Sequence, residues 1–145
     1  MSTEDEHFRR LERMYHGAPI NQFYEPVLRV SRGVAEIDVR VRPEFFHAAQ
    51  AIHGSVYFKS LDDAAFFAVN SLVTDVFVLT ASFTLYLTRP VSEGTLHAVG
   101  RVVHESRSLF LGESELRDDQ QRLVARGNGS FMRSSTRLTS VAGYG

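Results

Sequence analysis

With 145 residues, 43% of them hydrophobic and 23% charged, the chain has the size and composition of one globular domain. It holds no cysteine, which excludes a disulfide scaffold, a thiolate-held metal and a cysteine nucleophile, and suits a reducing cytoplasm. The net charge of −1 lacks the surplus of Lys and Arg that general nucleic-acid binding needs. The longest unbroken apolar run, Ala64 to Val69, is far short of the roughly 18 residues of a membrane span.

The acidic N-terminal residues Glu4, Asp5 and Glu6 are unlike the basic start of a signal peptide, so a cytoplasmic location without a membrane partner is expected. Residues 3–15 read as a helix, with Ser2 or Thr3 as cap, acids in the first turn, and Phe8, Leu11 and Met14 or Tyr15 at helical spacing. His16, Gly17, Ala18 and Pro19 stop it. Residues 24–30 form a strand and Ser31, Arg32 and Gly33 a turn. Residues 34–42 then alternate Ala35, Ile37, Val39 and Val41 against Glu36, Asp38, Arg40 and Arg42, as a half-buried hairpin strand does.

Pro43 ends that strand, and a loop rich in Phe and His runs to Ile52. Residues 55–72 read as a helix about 26 Å long. Its apolar residues cover more than one stripe, so the helix is buried on most sides. Strands follow at 76–88, 95–105, 108–117 and 122–132. In the first of these Leu79, Ala81, Phe83, Leu85 and Leu87 alternate with Thr80, Ser82, Thr84, Tyr86 and Thr88. Asp118 to Gln121 form a tight turn between the last two. The Ser-, Thr- and Gly-rich residues 134–145 read as a fraying tail. Neither an internal repeat nor an interdomain linker is evident. The whole is one domain over 1–145 with its core at about 20–133, of α+β class: an antiparallel sheet curled around one long central helix, plus a short N-terminal helix.

Chemistry concentrates around the long helix. Asp62 and Asp63 interrupt its most apolar stretch, where a carboxylate costs several kcal/mol unless paired, hydrogen-bonded or hydrated. Adjacent helical residues diverge by about 100°, so the two acids face differently. Asp63, four residues after Lys59, suits an exposed ion pair, whereas Asp62 shares its stripe with Phe58 and Phe66. The bland alternative puts both acids on a solvent strip. His53 and Gly54 precede the helix, whose N-terminal N–H groups can stabilise an oxyanion or a polarised carbonyl. His47 and His53 lack a third strong partner, so no metal site is expected.

The run His53-Gly54-Ser55-Val56-Tyr57-Phe58-Lys59-Ser60-Leu61-Asp62 resembles the His-Gly-Gly motif of hotdog-fold acyl-CoA thioesterases of the phenylacetate-pathway (PaaI-like) type, in which an Asp follows the His by nine positions. The resemblance covers roughly residues 27–133. It implies a hotdog fold and hydrolysis of an acyl-CoA or related thioester to acid and thiol. In that scheme Gly54 supplies the N–H that polarises the thioester carbonyl. Asp62 acts as nucleophile or as the base for water, across a dimer interface, and Thr80 orients the Asp or the water. Two departures stand out: the second Gly is Ser55, and the polar position six residues before His53 is His47, which can hold a water or act as a base. His53, His47, Gly54, Asp62 and Thr80 are thus the candidate catalytic residues.

The resemblance further implies a homodimer, often paired into a tetramer, and no cofactor, since CoA enters only with the substrate. Arg89, Arg107, Arg133 and Arg137 are candidate partners for its phosphates. A non-catalytic acyl-CoA-binding or sensing protein is the alternative. A hydratase or dehydratase ranks below both, because Ala48, Ala49 and Gln50 follow His47 where such enzymes carry a His-Phe-x-x-x-Pro type signature. The acyl group itself is left open, the eleven Phe residues being shared between core and pocket.

Overall fold

A computed structural model describes residues 2–145. Three α-helices, α1 (Thr3–Gly17), α2 (Pro19–Tyr24) and α3 (Gly54–Asn70), accompany six strands. These are β1 (Val27–Ser31), β2 (Val34–Arg40), β3 (Val76–Leu87), β4 (Thr95–Glu105), β5 (Phe110–Arg117) and β6 (Leu123–Arg137). All pairings are antiparallel and the order is β1-β2-β4-β5-β6-β3. The expected α+β plan, a sheet wrapped on one long helix with a short helix at the start, is the plan observed.

Ser2 caps α1 by accepting the Asp5 N–H at 3.0 Å. Phe8, Leu11, Met14 and Tyr15 form the buried face of that helix. Pro19, expected only to end a helix, also begins α2, because its fixed φ and missing N–H suit the first helical position. Glu25, at φ 51°, closes α2 in the left-handed region. In the β1–β2 hairpin Ser31 pairs with Val34 and Gly33 turns the chain at φ 71°. The alternation expected of β2 holds, with Ala35, Ile37 and Val39 buried.

Close approach of α3 to the sheet follows from small residues. A side chain at Gly100 of β4 would begin 2.3 Å from the Ala64 carbonyl group, so only glycine admits the helix backbone there. Ala64, Ala65 and Ala68 are fully buried. Ser114 of β5 donates to the Leu61 carbonyl at 2.8 Å and fixes the helix along its axis.

Strand β3 lies at the sheet edge and departs from simple alternation. Thr80 pairs with Phe131 and Ser82 with Ser130, leaving Ala81 as an extra residue in a bulge. The bulge switches the inward-facing set: Val78 is fully buried before it and Phe83 and Leu85 are half-buried after it. Leu79 and Leu87, from the expected apolar set, are about half exposed.

The expectation of a fraying tail from residue 134 is corrected. Strand β6 runs on to Arg137, and Leu138 and Tyr144 are buried. The Tyr144 hydroxyl lies 2.7 Å from His7 Nδ1, and His7 Nε2 lies 2.9 Å from the Asn70 carbonyl. A carbonyl only accepts, so Nε2 carries the hydrogen and Nδ1 accepts from Tyr144. The tail is therefore pinned to α1 and to the end of α3 by residues remote in sequence.

Candidate active site

Asp62 sits midway along α3, half-buried, on the wall of a cavity of about 400 Å³. Phe66 and Phe67 of α3, Phe77 and Thr80 of β3, and Tyr15 and Ile20 from the α1–α2 corner line much of the rest. Of the apolar stripe predicted for Asp62, Phe66 is a cleft wall, whereas Phe58 lies outside the cleft against Phe83. Thr80 is the last inward residue before the bulge, and its Oγ1 donates to Asp62 Oδ1 at 2.9 Å. Burial pushes the Asp62 carboxyl up to about 6. The Thr80 hydrogen bond works against that rise by favouring the charged form, Asp63 adds to it, and Lys59 opposes it. A half-buried carboxylate with this proton affinity suits general-base work near neutral pH.

Asp63 lines the same cavity, against the expectation that adjacent helical residues face differently, but it is held by other partners. Its Oδ2 accepts from Lys59 Nζ at 2.6 Å and from the Tyr15 hydroxyl at 2.7 Å. The expected Lys59–Asp63 pair exists, but it is sheltered where an exposed pair was expected, with side chains only 15% and 17% exposed. Tyr15 covers it from α1, and Tyr24 also lies beside the ammonium. Burial, followed by the charge and hydrogen bond of Asp63, raises the Tyr15 hydroxyl far above the ordinary phenol range. The roles of Tyr15, Ile20 and Phe77 as cleft residues carry no local sequence signal, because they depend on the docking of the α1–α2 corner.

The remaining candidates lie at or before the N-terminus of α3. His53 is the N-cap residue: its exposed ring accepts the Ser55 N–H on Nδ1 at 3.0 Å. Gly54 is the first residue of the helix, where geometry leaves the N–H without an intrahelical acceptor. Gly54 and His47 line a second, smaller cleft with Tyr57, Leu87 and Arg89. His47 is exposed, and its Nδ1 accepts the Ala49 N–H at 3.0 Å. Eight residues of helix, about 12 Å of rise, separate Gly54 from Asp62. Within one chain the structure therefore brings Asp62 to Thr80 and His47 to Gly54, and keeps the two pairs apart. Among the described residues no three His, Asp or Glu side chains converge as metal ligands, and no helix is long and apolar enough to cross a membrane. Of the candidate phosphate partners, Arg133 is engaged by Asp75 at 3.1 Å and by the Arg107 carbonyl.

The sequence pattern of the Thioesterase superfamily matches residues 49–125, more than half of the chain and the whole span from His53 through Thr80. The chain belongs to the thioesterase superfamily. The Escherichia coli PaaI protein of the phenylacetic acid degradation operon has the same fold, with a TM-score of 0.84 at 22% identity, covering 94% of this chain and 99% of that one. A conserved protein of Pseudomonas aeruginosa superposes with a TM-score of 0.75 at 26% identity, over 81% of this chain and 94% of its own. A Sulfurisphaera tokodaii protein that carries the name "Putative esterase" is 26% identical over 102 residues, 70% of this chain and 75% of that protein. The hotdog fold and the family anticipated from the His53–Asp62 run are therefore those found, and membership of this superfamily supports hydrolysis of a thioester or ester.

Proposed function

We propose that this thioesterase-superfamily protein hydrolyses an acyl-CoA, with the two halves of each site contributed by two protomers. The carrying observation is the Thr80–Asp62 couple in the aromatic cleft, separated along α3 from the Gly54 N–H at the start of the helix. Asp62 accepts a proton from a water placed by Thr80. The water oxygen bonds to the thioester carbon, and the carbonyl oxygen takes the electron pair, held by the N–H of Gly54 of the partner subunit with His47 beside it. Collapse of this intermediate breaks the C–S bond, and the proton passes from Asp62 to the departing thiolate. Asp62 at about 6 suits it to this base role.

A dimer formed along β3 fits this division, since β3 is an edge strand with Leu79, Tyr86 and Leu87 exposed. Light scattering should show at least a dimer at micromolar concentration; a stable monomer removes the shared site. A cleft of about 400 Å³ walled by Tyr15, Phe66, Phe67 and Phe77 favours a compact, flat acyl group over a long chain. The deciding measurement is a hydrolysis panel of short, medium, long and aryl acyl-CoAs, with Asp62→Asn as control. Turnover highest for compact acyl groups and lost in the variant supports the reading; turnover no faster than buffer across the panel overturns it.

A further inference from the structure

We infer that the Lys59–Asp63 ion pair is a positioning device for Asp62: by holding the Lys59 ammonium on Asp63, it leaves Asp62 without a cationic partner and able to accept a proton from water. This rests on Asp62 being the base proposed above. Lys59 stands three residues before Asp62 and four before Asp63, so both carboxylates are within reach of its side chain on the helix surface. The structure resolves that competition in favour of Asp63. Lys59 Nζ is 2.6 Å from Asp63 Oδ2, and the same oxygen accepts the Tyr15 hydroxyl at 2.7 Å. The ammonium also lies 5.2 Å from the ring centroids of Tyr15 and of Tyr24, an aromatic cradle that fixes it on the Asp63 side.

Asp62 receives a neutral donor, the Thr80 hydroxyl. A neutral hydrogen bond leaves a carboxylate more basic than an ammonium contact does. The charged and titratable groups around Asp62 are Lys59 and Asp63 on its own helix and Tyr15 on α1, with the neutral Thr80 reaching it from β3. Lys59 and Asp63 act on it with opposite signs, so the intact pair leaves burial as the dominant influence. Because the pair is sheltered, removing either member releases an imbalance that solvent screens only in part.

Opposite effects from the two ends of one ion pair make the test. Asp63→Asn frees the ammonium toward Asp62, and the acid limb of the pH–rate profile should move down by about one pH unit. Lys59→Met leaves the Asp63 charge unbalanced, and the limb should move up by a similar amount; Lys59→Gln replaces it should Lys59→Met fail to fold. Combining Asp63→Asn with the lysine variant should return the limb close to its original position. A ¹³C NMR titration of the Asp62 carboxyl, assigned with Asp62→Asn, follows the same shifts without reference to turnover. Asp62 titrations that stay fixed, or that move in one direction in both single variants, overturn the inference. Opposed shifts in the NMR titration with an unmoved rate profile support the coupling and overturn instead the assignment of Asp62 as the base.

Discussion

Thr80 Oγ1 donates to Asp62 Oδ1 at 2.9 Å, and the bulge at Ala81 separates that contact from the next inward residue of β3. Loss of the hydroxyl should be felt in rate and in pH dependence. In Thr80→Val the volume is nearly kept but the donor is gone. Because the hydrogen bond favours ionised Asp62, its removal raises the proton affinity of the carboxyl. The acid limb of the pH–rate profile should shift upward, and kcat should fall by about tenfold even on the plateau, since the water loses its guide. Thr80→Ser, which restores the donor, should recover most of the rate. Steady-state kinetics between pH 5 and 9 check both statements.

Asp62 should also trade stability for activity. Its folded-state value, about 6, lies above the ordinary 3.8. Between those values the folded protein holds a proton that the unfolded chain has released, so this group's contribution to stability falls as pH rises from about 4 to about 6. Asp62→Asn carries no such cost, and its carbonyl oxygen can still accept from Thr80. The variant should therefore melt higher than the unaltered protein at pH 8, with the difference closing toward pH 4, while turnover at pH 8 drops by about 10³-fold or more. Thermal melts across that range, beside rates at pH 8, make the comparison. An equal or lower Tm at pH 8 would show that the ionised carboxylate is better solvated than its position implies.

The order of elements and the central helix were legible because their signals are local: the alternation of Ala35, Ile37 and Val39, the breadth of apolar cover from Val56 to Val69, and the His53-Gly54 start. What escaped depends on contacts remote in sequence. Pro19 stops one helix and starts another, and both uses agree with its fixed φ. The bulge at Ala81 leaves no mark in a strand that alternates on paper, although it is what turns both Thr80 and Phe83 inward. Leu138 and Tyr144 are isolated apolar residues in a polar tail, and their burial depends on α1 and the end of α3. For the site, the Lys59–Asp63 pair was legible in the four-residue spacing, although both acids share one cavity, whereas Tyr15 as a partner of Asp63 comes from a helix 48 residues away.

Tyr144 offers a direct check on the docked tail. Its hydroxyl supplies the hydrogen that buried His7 Nδ1 accepts, while Nε2 is committed to the Asn70 carbonyl. Tyr144→Phe keeps the ring and strands a buried acceptor, which costs about 1–3 kcal/mol. Tyr144→Ala also empties the ring's site beside α1 and should cost more. Chemical denaturation should rank the proteins in that order. Equal stability of all three would mean that Tyr144 contributes neither packing nor its hydrogen bond to the folded state.

Gly54 separates the demands of folding from those of chemistry. It has no positive φ, and a methyl group placed on it meets only Leu87 Cδ1 at 3.5 Å, an ordinary contact. Alanine is the better helix former by about 0.8–1.0 kcal/mol in a helix interior, with a smaller gain at a first turn. Among the described residues no contact therefore requires glycine at position 54, unlike Gly100, where the backbone of α3 leaves no room. The proposed reaction supplies the demand instead, since a carbonyl oxygen bonded to the Gly54 N–H would have an added methyl group on the same residue as its neighbour. Gly54→Ala should keep or raise Tm while lowering kcat by about tenfold or more, with a smaller effect on the affinity for a non-hydrolysable acyl-CoA analogue. Gly100→Ala should do the reverse and fail first in stability. Full turnover in Gly54→Ala would show that the helix N-terminus does not receive the carbonyl. An unaltered protein that binds the analogue tightly but hydrolyses no member of the acyl-CoA panel would identify a binding protein built on the thioesterase fold.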